Sequence, residues 1–137
     1  MASGTYTLLI ELPEAATITF GAAGERDLDS GVYAYTGSAF GPGGFSRTDR
    51  HRRVAAGDND ARHWHVDYLL GHPGTRIAEV VRSVDADIEC AVSQRLAGDP
   101  VPGIGASDCD CDTHLVYCGQ GSAVVDDVRR VHAAAME

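Results

Sequence analysis

The sequence predicts a small α/β domain of the α+β kind, with helices flanking a mainly antiparallel central sheet. The length of 137 residues suits one domain, over residues 1–137, with a single sizeable core. Segments of alternating hydrophobicity near the N-terminus indicate strands, and later segments have the spacing of amphipathic helices. The predicted order β-β-β-α-α-β-α-β-α, without an internal repeat, is typical of a mixed domain.

The first part of the chain contains three predicted strands. The segment TYTLLIEL alternates, with Tyr6 and Leu8 on one face and Thr7 on the other. Because Pro13 would end this strand, we expect ATITF to turn back as its hairpin partner. The polar, glycine-rich GAAGERDLDSG is predicted to be a loop, and GVYAYTG is the third strand.

Helices dominate the predictions for the remainder. A helix ending at Gly57 is predicted for GFSRTDRHRRVAA, and a short helix or extended turn for HWHVDYLLGH. Strands are predicted for TRIAEVVRSV and THLVYC. Another helix is predicted for DADIECAVSQRLAG, where Ile88 and Val92 belong to an apolar stripe and Asp85 or Asp87 would cap the start. The segment GDPVPGIGASDCDCD is a predicted loop, and the C-terminal segment is a helix.

The composition is acidic and contains no lysine. Eleven arginines stand against 20 acidic residues, for a formal net charge of -9. This balance is similar to that of proteins from salt-loving archaea. Since 1 M salt shortens the screening length to about 3 Å, the net charge does not exclude a polyanionic partner. The sequence has no apolar run of about 18 residues and no recognisable secretory signal, so we expect a cytoplasmic protein without a membrane partner.

The densest positive charge lies in the helix predicted after the third strand. Four arginines and a histidine occupy the seven residues from Arg47 to Arg53. Arg47 and His51, four residues apart, project from one face of that helix, and Tyr35 precedes the turn that leads into it. A guanidinium matches phosphate geometry, and a phenol near positive charge can relay a proton. A solvated basic helix face would give the same pattern.

Glu89 lies among apolar residues at the start of a later predicted helix. A carboxylate in such a setting is unusual unless it has a partner. It could hold a divalent cation, or it could stabilise the helix N-terminus through the helix dipole. Taken alone, the pattern favours the second interpretation.

Taken in order, these residues resemble the GIY-YIG nuclease superfamily. Gly4-Thr5-Tyr6 is similar to the first strand motif of that family, and Tyr35-Thr36-Gly37 to the second. Arg47 and His51 match the helix motif, and Glu89 matches the metal-binding acid. The longer strings GSAFGPGGFSRTDRHRR, HWHVDYLL and SDCDCDTHL resemble an uncharacterised branch that is sometimes fused to endonuclease III.

The chain departs from the family pattern at several positions. Threonine replaces isoleucine in both motifs, which we expect to matter little at buried strand sites. Gly31-Val32-Tyr33 offers a second match to the first motif. We prefer Gly4, because it begins a separate strand and the family pairs its motifs on neighbouring strands. The asparagine that many members carry after the acid has no clear match.

The resemblance implies a metal-dependent endonuclease that hydrolyses DNA phosphodiester bonds, with DNA repair as a setting. Glu89 would hold Mg²⁺ or Mn²⁺. Tyr6 or Tyr35 would deprotonate or orient the attacking water, helped by His51. Arg47 would stabilise charge on the phosphorane. Flanking phosphates would be bound by three further arginines: Arg50, Arg52 and Arg53.

Two more segments contain metal-type side chains. His63, His65 and Asp67 alternate along HWHVD and could form a wall of the active site near Glu89. The second segment has the pattern C-x-C-x2-H-x3-C, with ligands that suit Zn²⁺ but not the spacing of a standard knuckle. Its members are Cys109, Cys111, His114 and Cys118. The alternative is that Cys90 and Cys118 are small buried apolar residues.

Three classes of function therefore follow from the sequence. The first is the endonuclease. The second is a non-catalytic nucleic-acid-binding module that retains the fold and the arginine-rich helix, for which the unmatched asparagine argues. The third is a zinc-stabilised interaction domain, which depends on the cysteine and histidine segment alone.

Overall fold

The computed structural model describes residues 3–21, 24–40, 44–57, 65–96, 98–101, 104, 113–119 and 124–136, without the side chains of residues 65 and 90. The strands are β1 (Gly4–Leu12), β2 (Ala16–Thr19), β3 (Glu25–Leu28), β4 (Gly31–Ser38), β5 (Arg76–Val84), β6 (Asp99–Pro100) and β7 (Leu115–Tyr117). The helices are α1 (Ser46–Ala55), α2 (His65–Leu70), α3 (Glu89–Arg95) and α4 (Val124–Ala135). Within these ranges, no helix has both the length and the apolar character needed to cross a bilayer.

Five strands form the central sheet in the order β5-β1-β4-β7-β6, and every pair is antiparallel. β1 is buried along almost its whole length, because helices cover both faces of the sheet. One face carries Tyr6 and Leu8 and packs against α1 and α2. The other carries Leu9 and packs against α4. The predicted α+β class, with a mainly antiparallel sheet flanked by helices, is therefore confirmed.

The predicted pairing of ATITF with the first strand is wrong. β2 pairs with β3 in a separate two-stranded sheet, and β3 lies in the segment that we predicted to be a loop. β2 cannot pair with β1, because β4 and β5 already form hydrogen bonds with the two edges of β1. The hairpin is mostly exposed and contributes Ile18 and Leu28 to the core. With so few apolar residues, it gives a weak strand signal.

The start of α3 also differs from the prediction. Ile88 occupies the N-cap position without a side-chain cap bond, so neither Asp85 nor Asp87 caps this helix. Instead, the hydroxyl of Thr5 on β1 accepts a hydrogen bond from the Ile88 amide, at 3.1 Å, and donates one to the Ala86 carbonyl, at 2.7 Å. A residue distant in sequence therefore anchors α3 to the sheet.

The pairing of β1 with β4 depends on a glycine. Tyr6 lies directly opposite Gly37, and a Cβ atom added at residue 37 would lie 2.6 Å from the Tyr6 hydroxyl oxygen. No real Cβ contact is that short, so the ring of Tyr6 occupies space that only glycine leaves open. Gly4 is restricted in the same way, because a Cβ there would overlap the carbonyl oxygen of Ser83 on β5.

We expect Gly37→Ala to lower the free energy of unfolding by about 3 kcal/mol, since the added methyl group overpacks a site that the Tyr6 ring fills. Gly57→Ala is the control. No heavy atom lies within 4 Å of a Cβ at residue 57, so that change adds only the left-handed backbone strain of about 1 kcal/mol. Denaturant unfolding measures both losses. An equal or smaller loss for Gly37→Ala would contradict the packing argument.

A buried polar cluster ties α4 to β1, β4 and β5. The Nε2 atom of His132 lies 2.7 Å from the Thr7 hydroxyl, and its Nδ1 atom lies 2.8 Å from the Ser83 hydroxyl. Thr7 is also hydrogen-bonded to Thr36, at 2.9 Å. Both ring nitrogens therefore meet neutral hydroxyl groups. Burial lowers the pKa of His132 from 6.5 to about 4, so the imidazole is neutral at neutral pH.

We expect His132→Gln to flatten the pH dependence of unfolding between pH 6.5 and pH 4. In the wild type, the unfolded chain binds a proton at His132 near pH 6.5, whereas the folded protein resists it until about pH 4. The stability is thus fully present above pH 6.5 and is lost as the pH falls through this window. At the acid end of this window, near pH 4, the resulting loss in the free energy of unfolding is about 3 kcal/mol.

Denaturant unfolding at several pH values in molar KCl measures this slope. The control is His72→Gln, at a half-exposed position, which should keep the wild-type slope. A His132→Gln variant with the wild-type slope would show that the buried imidazole does not control acid stability.

Candidate active site

Three of the predicted site residues meet beneath α1. The Tyr6 hydroxyl oxygen lies 2.8 Å from Nε2 of His51, and the two side chains are only 2% and 1% exposed. The ring of Tyr35 approaches the same imidazole edge-on, at 6.3 Å between ring centres. Tyr35 and Tyr6 share a face of the sheet, because Tyr35 is paired with Leu8, two residues along from Tyr6.

The sequence of α1 explains why His51 points inward. Thr48, His51 and Val54 recur at intervals of three, and all three are buried. This spacing forms the stripe that a helix presents to a sheet. The arginines fall between these positions, so the helix has an apolar, histidine-containing inner face and a basic outer face.

Arg47 lies beside the tyrosines at the start of α1. Its Nη1 atom donates a hydrogen bond of 2.6 Å to the Ser38 carbonyl, at the end of β4. Its positive charge acts to lower the pKa of the Tyr6 phenol, against the larger effect of burial. Arg47 is half-buried and therefore presents its charge to the interior of the site as well as to its rim.

Burial dominates the acid–base character of the two phenols. It raises the pKa of Tyr6, with the neighbouring Tyr35 adding to the rise and Arg47 opposing it. It also raises the pKa of Tyr35, and the charges of Glu89 and Asp67 add to that rise. Both phenols are therefore protonated at neutral pH. The negative charge of Glu89 adds to the rise of both pKa values, so it acts on both phenols.

His51 is a neutral imidazole at neutral pH. Its pKa is lowered from 6.5 to about 4, chiefly by burial, and the positive charges of Arg50 and Arg47 contribute to this fall. The carboxylate of Asp67 acts in the opposite direction and raises it. A neutral imidazole with Nε2 against a phenol is able to accept the phenolic proton.

Arg50 and Asp67 form a buried ion pair next to His51. Nη1 of Arg50 lies 3.1 Å from Oδ1 of Asp67, and Nη2 lies 3.0 Å from Oδ2. The side chain of Asp67 is fully buried, and that of Arg50 is 15% exposed. One Asp67 oxygen lies 3.8 Å from Nδ1 of His51. Asp67 thus does reach the tyrosine cleft, whereas Arg50 faces a carboxylate in the interior and not solvent.

Glu89 is the first residue of α3, and its side chain is 16% exposed. Its Oε1 atom lies 3.8 Å from Nδ1 of His114, which is buried. The bonds of Thr5 to Ala86 and Ile88 hold the chain just before it. Both motif threonines are hydrogen-bonded through their hydroxyls, so the expectation that replacing isoleucine matters little is wrong.

The carboxylate of Glu89 fits a magnesium-type ion rather than a preformed metal cage. Among the residues that the structure describes, no group of three histidine, cysteine or acidic side chains converges on one point. Mg²⁺ keeps several water ligands and binds through one or two carboxylates together with substrate phosphates. One partly exposed carboxylate beside two phenols is compatible with that chemistry.

The other predicted metal-type residues are only partly described. His63, Cys109 and Cys111 lie outside the described residues, as does the side chain of His65. His114 is the described member of this set that reaches Glu89. Cys118 is half-buried near α4 instead, and burial raises the pKa of its thiol. The described part of the chain therefore contains no assembled zinc site.

The arginines predicted to contact phosphates differ in exposure, and the sequence analysis did not predict one further arginine near the cleft. Arg52 and Arg53 are exposed on α1, as expected of phosphate contacts. Arg82 on β5 was not predicted, although it pairs with Tyr6 across the sheet. Its Nη2 atom donates to the Thr48 hydroxyl at 2.9 Å, and its guanidinium lies 5.2 Å from the ring centre of Phe45. Only the strand register reveals this neighbourhood.

The fold and the site together define a small α+β domain with a buried tyrosine–histidine–arginine cluster beside a partly exposed carboxylate. A family model described as a domain of unknown function, DUF123, matches residues 5–137, so the chain belongs to that family. No curated protein and no solved structure matches the chain.

Proposed function

We propose that this protein is a metal-dependent endonuclease that hydrolyses DNA phosphodiester bonds. The observation that carries the proposal is the convergence of Tyr6, Tyr35, Arg47 and His51 from three separate elements, with the charge of Glu89 on α3 acting on both phenols. These are the residues to which the resemblance to the GIY-YIG nucleases assigns the chemistry. Their common location supports the role implied for each.

The tyrosine–histidine pair offers a path for the proton of the attacking water. Tyr6 takes a proton from water as its own proton moves to Nε2 of His51, across a distance of 2.8 Å. The resulting hydroxide forms the new bond to phosphorus while the bond to the leaving oxygen breaks. A substrate phosphate would offset the charge of Arg47, which lowers the pKa of His51, so substrate binding would make the imidazole a better proton acceptor.

Arg47 and Glu89 would handle the charges of the transition state. The guanidinium of Arg47, fixed to the Ser38 carbonyl, is positioned to donate to the phosphorane oxygens. Glu89 would hold Mg²⁺ or Mn²⁺ through its carboxylate oxygens, and the ion would stabilise charge on the leaving oxygen. Arg52, Arg53 and Arg82 would bind neighbouring phosphates at the rim.

A non-catalytic DNA-binding module is the second candidate. The observation that favours it is the burial of the reactive groups, since Tyr6 and His51 are almost inaccessible to solvent. Such a module would retain the exposed arginines and bind DNA without turnover. A zinc-stabilised interaction domain is the third alternative, and elemental analysis for stoichiometric zinc decides it.

We expect Glu89→Gln to lower DNA cleavage by at least about 100-fold while leaving DNA binding nearly unchanged, because it removes the charge that would hold the ion. The assay uses supercoiled, single-stranded and branched DNA in molar KCl with Mg²⁺ or Mn²⁺. Glu79→Gln is the control, because Glu79 lies at the surface near Arg129. Wild-type binding without cleavage, unchanged in Glu89→Gln, would support the binding module instead.

We expect Arg82→Ala to weaken DNA binding similarly for all sequences and to reduce the slope of log K against log salt by about 1. The reason is that the Phe45 ring and the Thr48 hydroxyl hold its charge beside the tyrosine cleft. Binding is measured by fluorescence anisotropy over a range of KCl concentrations. Arg129→Ala, on α4, is the matched control, and an equal effect there would show a merely general loss of charge.

A further inference from the structure

The ion pair of Arg50 and Asp67 is buried and is not a surface salt bridge. Burying a carboxylate is unfavourable unless its partners compensate for the lost hydration. Asp67 is fully buried, and Arg50 covers both of its oxygens in the bidentate geometry that best compensates. A pair that served only to join α1 to α2 would gain more at the surface, where neither charge is desolvated.

The carboxylate is also aimed at the imidazole. Its Oδ1 atom lies 3.8 Å from Nδ1 of His51, on the side of the ring opposite to the Tyr6 hydroxyl. An ionised carboxylate only accepts hydrogen bonds. If Nδ1 carried no proton, its lone pair would face another lone pair in a buried site. A proton on Nδ1 turns that repulsion into attraction.

The other side of the ring leads to the same tautomer. Among the described residues, the Tyr6 hydroxyl has one hydrogen-bond partner, Nε2 of His51, so the proton of this buried phenol has no other acceptor. The Tyr6 hydroxyl proton is then available for Nε2 of His51, 2.8 Å away. This arrangement requires Nε2 to be the unprotonated nitrogen, which again leaves the ring proton on Nδ1.

We propose that Asp67, held by Arg50, is a positioning residue that fixes His51 as the Nδ1-protonated tautomer, so that Nε2 accepts the proton of Tyr6. The catalytic role of this tautomer rests on the proposed hydrolysis, in which the proton that leaves Tyr6 moves to Nε2 of His51. The imidazolium formed there would be stabilised by the carboxylate behind it. The other charged groups acting on the ring are Arg50 and Arg47 on α1, and both disfavour the imidazolium.

In this proposal Arg50 holds Asp67 rather than a flanking phosphate, which the sequence analysis predicted it would bind. Its bidentate bond to Asp67 compensates the buried carboxylate and sets the direction in which Oδ1 points. It therefore serves the site from the interior, whereas Arg52 and Arg53 face solvent.

The tautomer is read directly by NMR. Long-range ¹H–¹⁵N correlation spectra of the ¹⁵N-labelled full-length protein at neutral pH distinguish a protonated from an unprotonated ring nitrogen, and His51→Gln assigns the signals. We expect His51 to show a protonated Nδ1 and an unprotonated Nε2. A proton on Nε2 in the wild type would overturn the proposal without any further variant.

Asp67→Asn tests the cause of this tautomer. The amide keeps the shape of the carboxylate and removes the negative charge that favours a proton on Nδ1, so the population of the Nε2-protonated tautomer should rise. Asp127→Asn, at an exposed ion pair on α4, is the control and should leave the His51 signals unchanged. A folded Asp67→Asn variant that keeps Nδ1 protonated would reduce Asp67 to a structural partner of Arg50.

If Asp67→Asn does not fold, Arg50→Gln replaces it. Asp67 remains in that variant, so the proton should stay on Nδ1. Because Arg50 lowers the pKa of His51, its removal should move the NMR titration of His51 to higher pH. A switch to the Nε2-protonated tautomer in this variant would overturn the proposal.

Cleavage assays separate this inference from the proposed function. If the wild type cuts DNA, Asp67→Asn should lower kcat at least about 100-fold with little change in KM, as expected when a base is held in the wrong tautomer. A merely structural role would lower stability and leave the tautomer and kcat of the folded fraction unchanged. If the wild type does not cut while the spectra show Nδ1–H, the endonuclease fails and the positioning role of Asp67 stands.

Discussion

The antiparallel pairing of β1 with β4 is the constraint on which the rest of the site depends. It puts Tyr6 opposite Gly37, in a space that tolerates no side chain, and it sets Tyr35 two residues further along the same face. α1 then covers that face, with His51 on its inner stripe. A shift of one residue in this register would put the two phenols on opposite faces of the sheet and disassemble the cluster.

Two buried histidines, His51 and His132, lie on opposite faces of the sheet, and the partners of the two rings decide what each can do. His132 meets two neutral hydroxyls, from Thr7 and Ser83, and this symmetrical environment suits a structural link between α4 and the sheet. His51 lies between a phenol and a carboxylate. The pKa of both rings is lowered to about 4, chiefly by burial. Only His51 has different groups beside its two nitrogens, a phenol beside Nε2 and a carboxylate near Nδ1.

The arginines of α1 resolve the apparent conflict between a dense basic segment and an acidic protein. Arg47 and Arg50 turn toward the interior, where one is hydrogen-bonded to the Ser38 carbonyl and the other to Asp67. Arg52 and Arg53 remain at the surface, as does Arg82 on β5. Two of the four arginines of α1 therefore belong to the internal geometry of the site, and the other two are exposed.

The sequence by itself determined the strands and helices with strong periodicity and the α+β class, because these features depend on local spacing. The candidate site residues came from the resemblance to the GIY-YIG nucleases, together with spacings such as the interval of four positions from Arg47 to His51. Tertiary structure alone decided the partner of β2, the anchoring of α3 by Thr5, and the assignment of Arg50 to Asp67. Each of these is a contact between residues distant in the chain, and it depends on which strand edges are occupied and how α1 and α2 pack. Local patterns carry no information about either, because pairing and packing are properties of the whole fold.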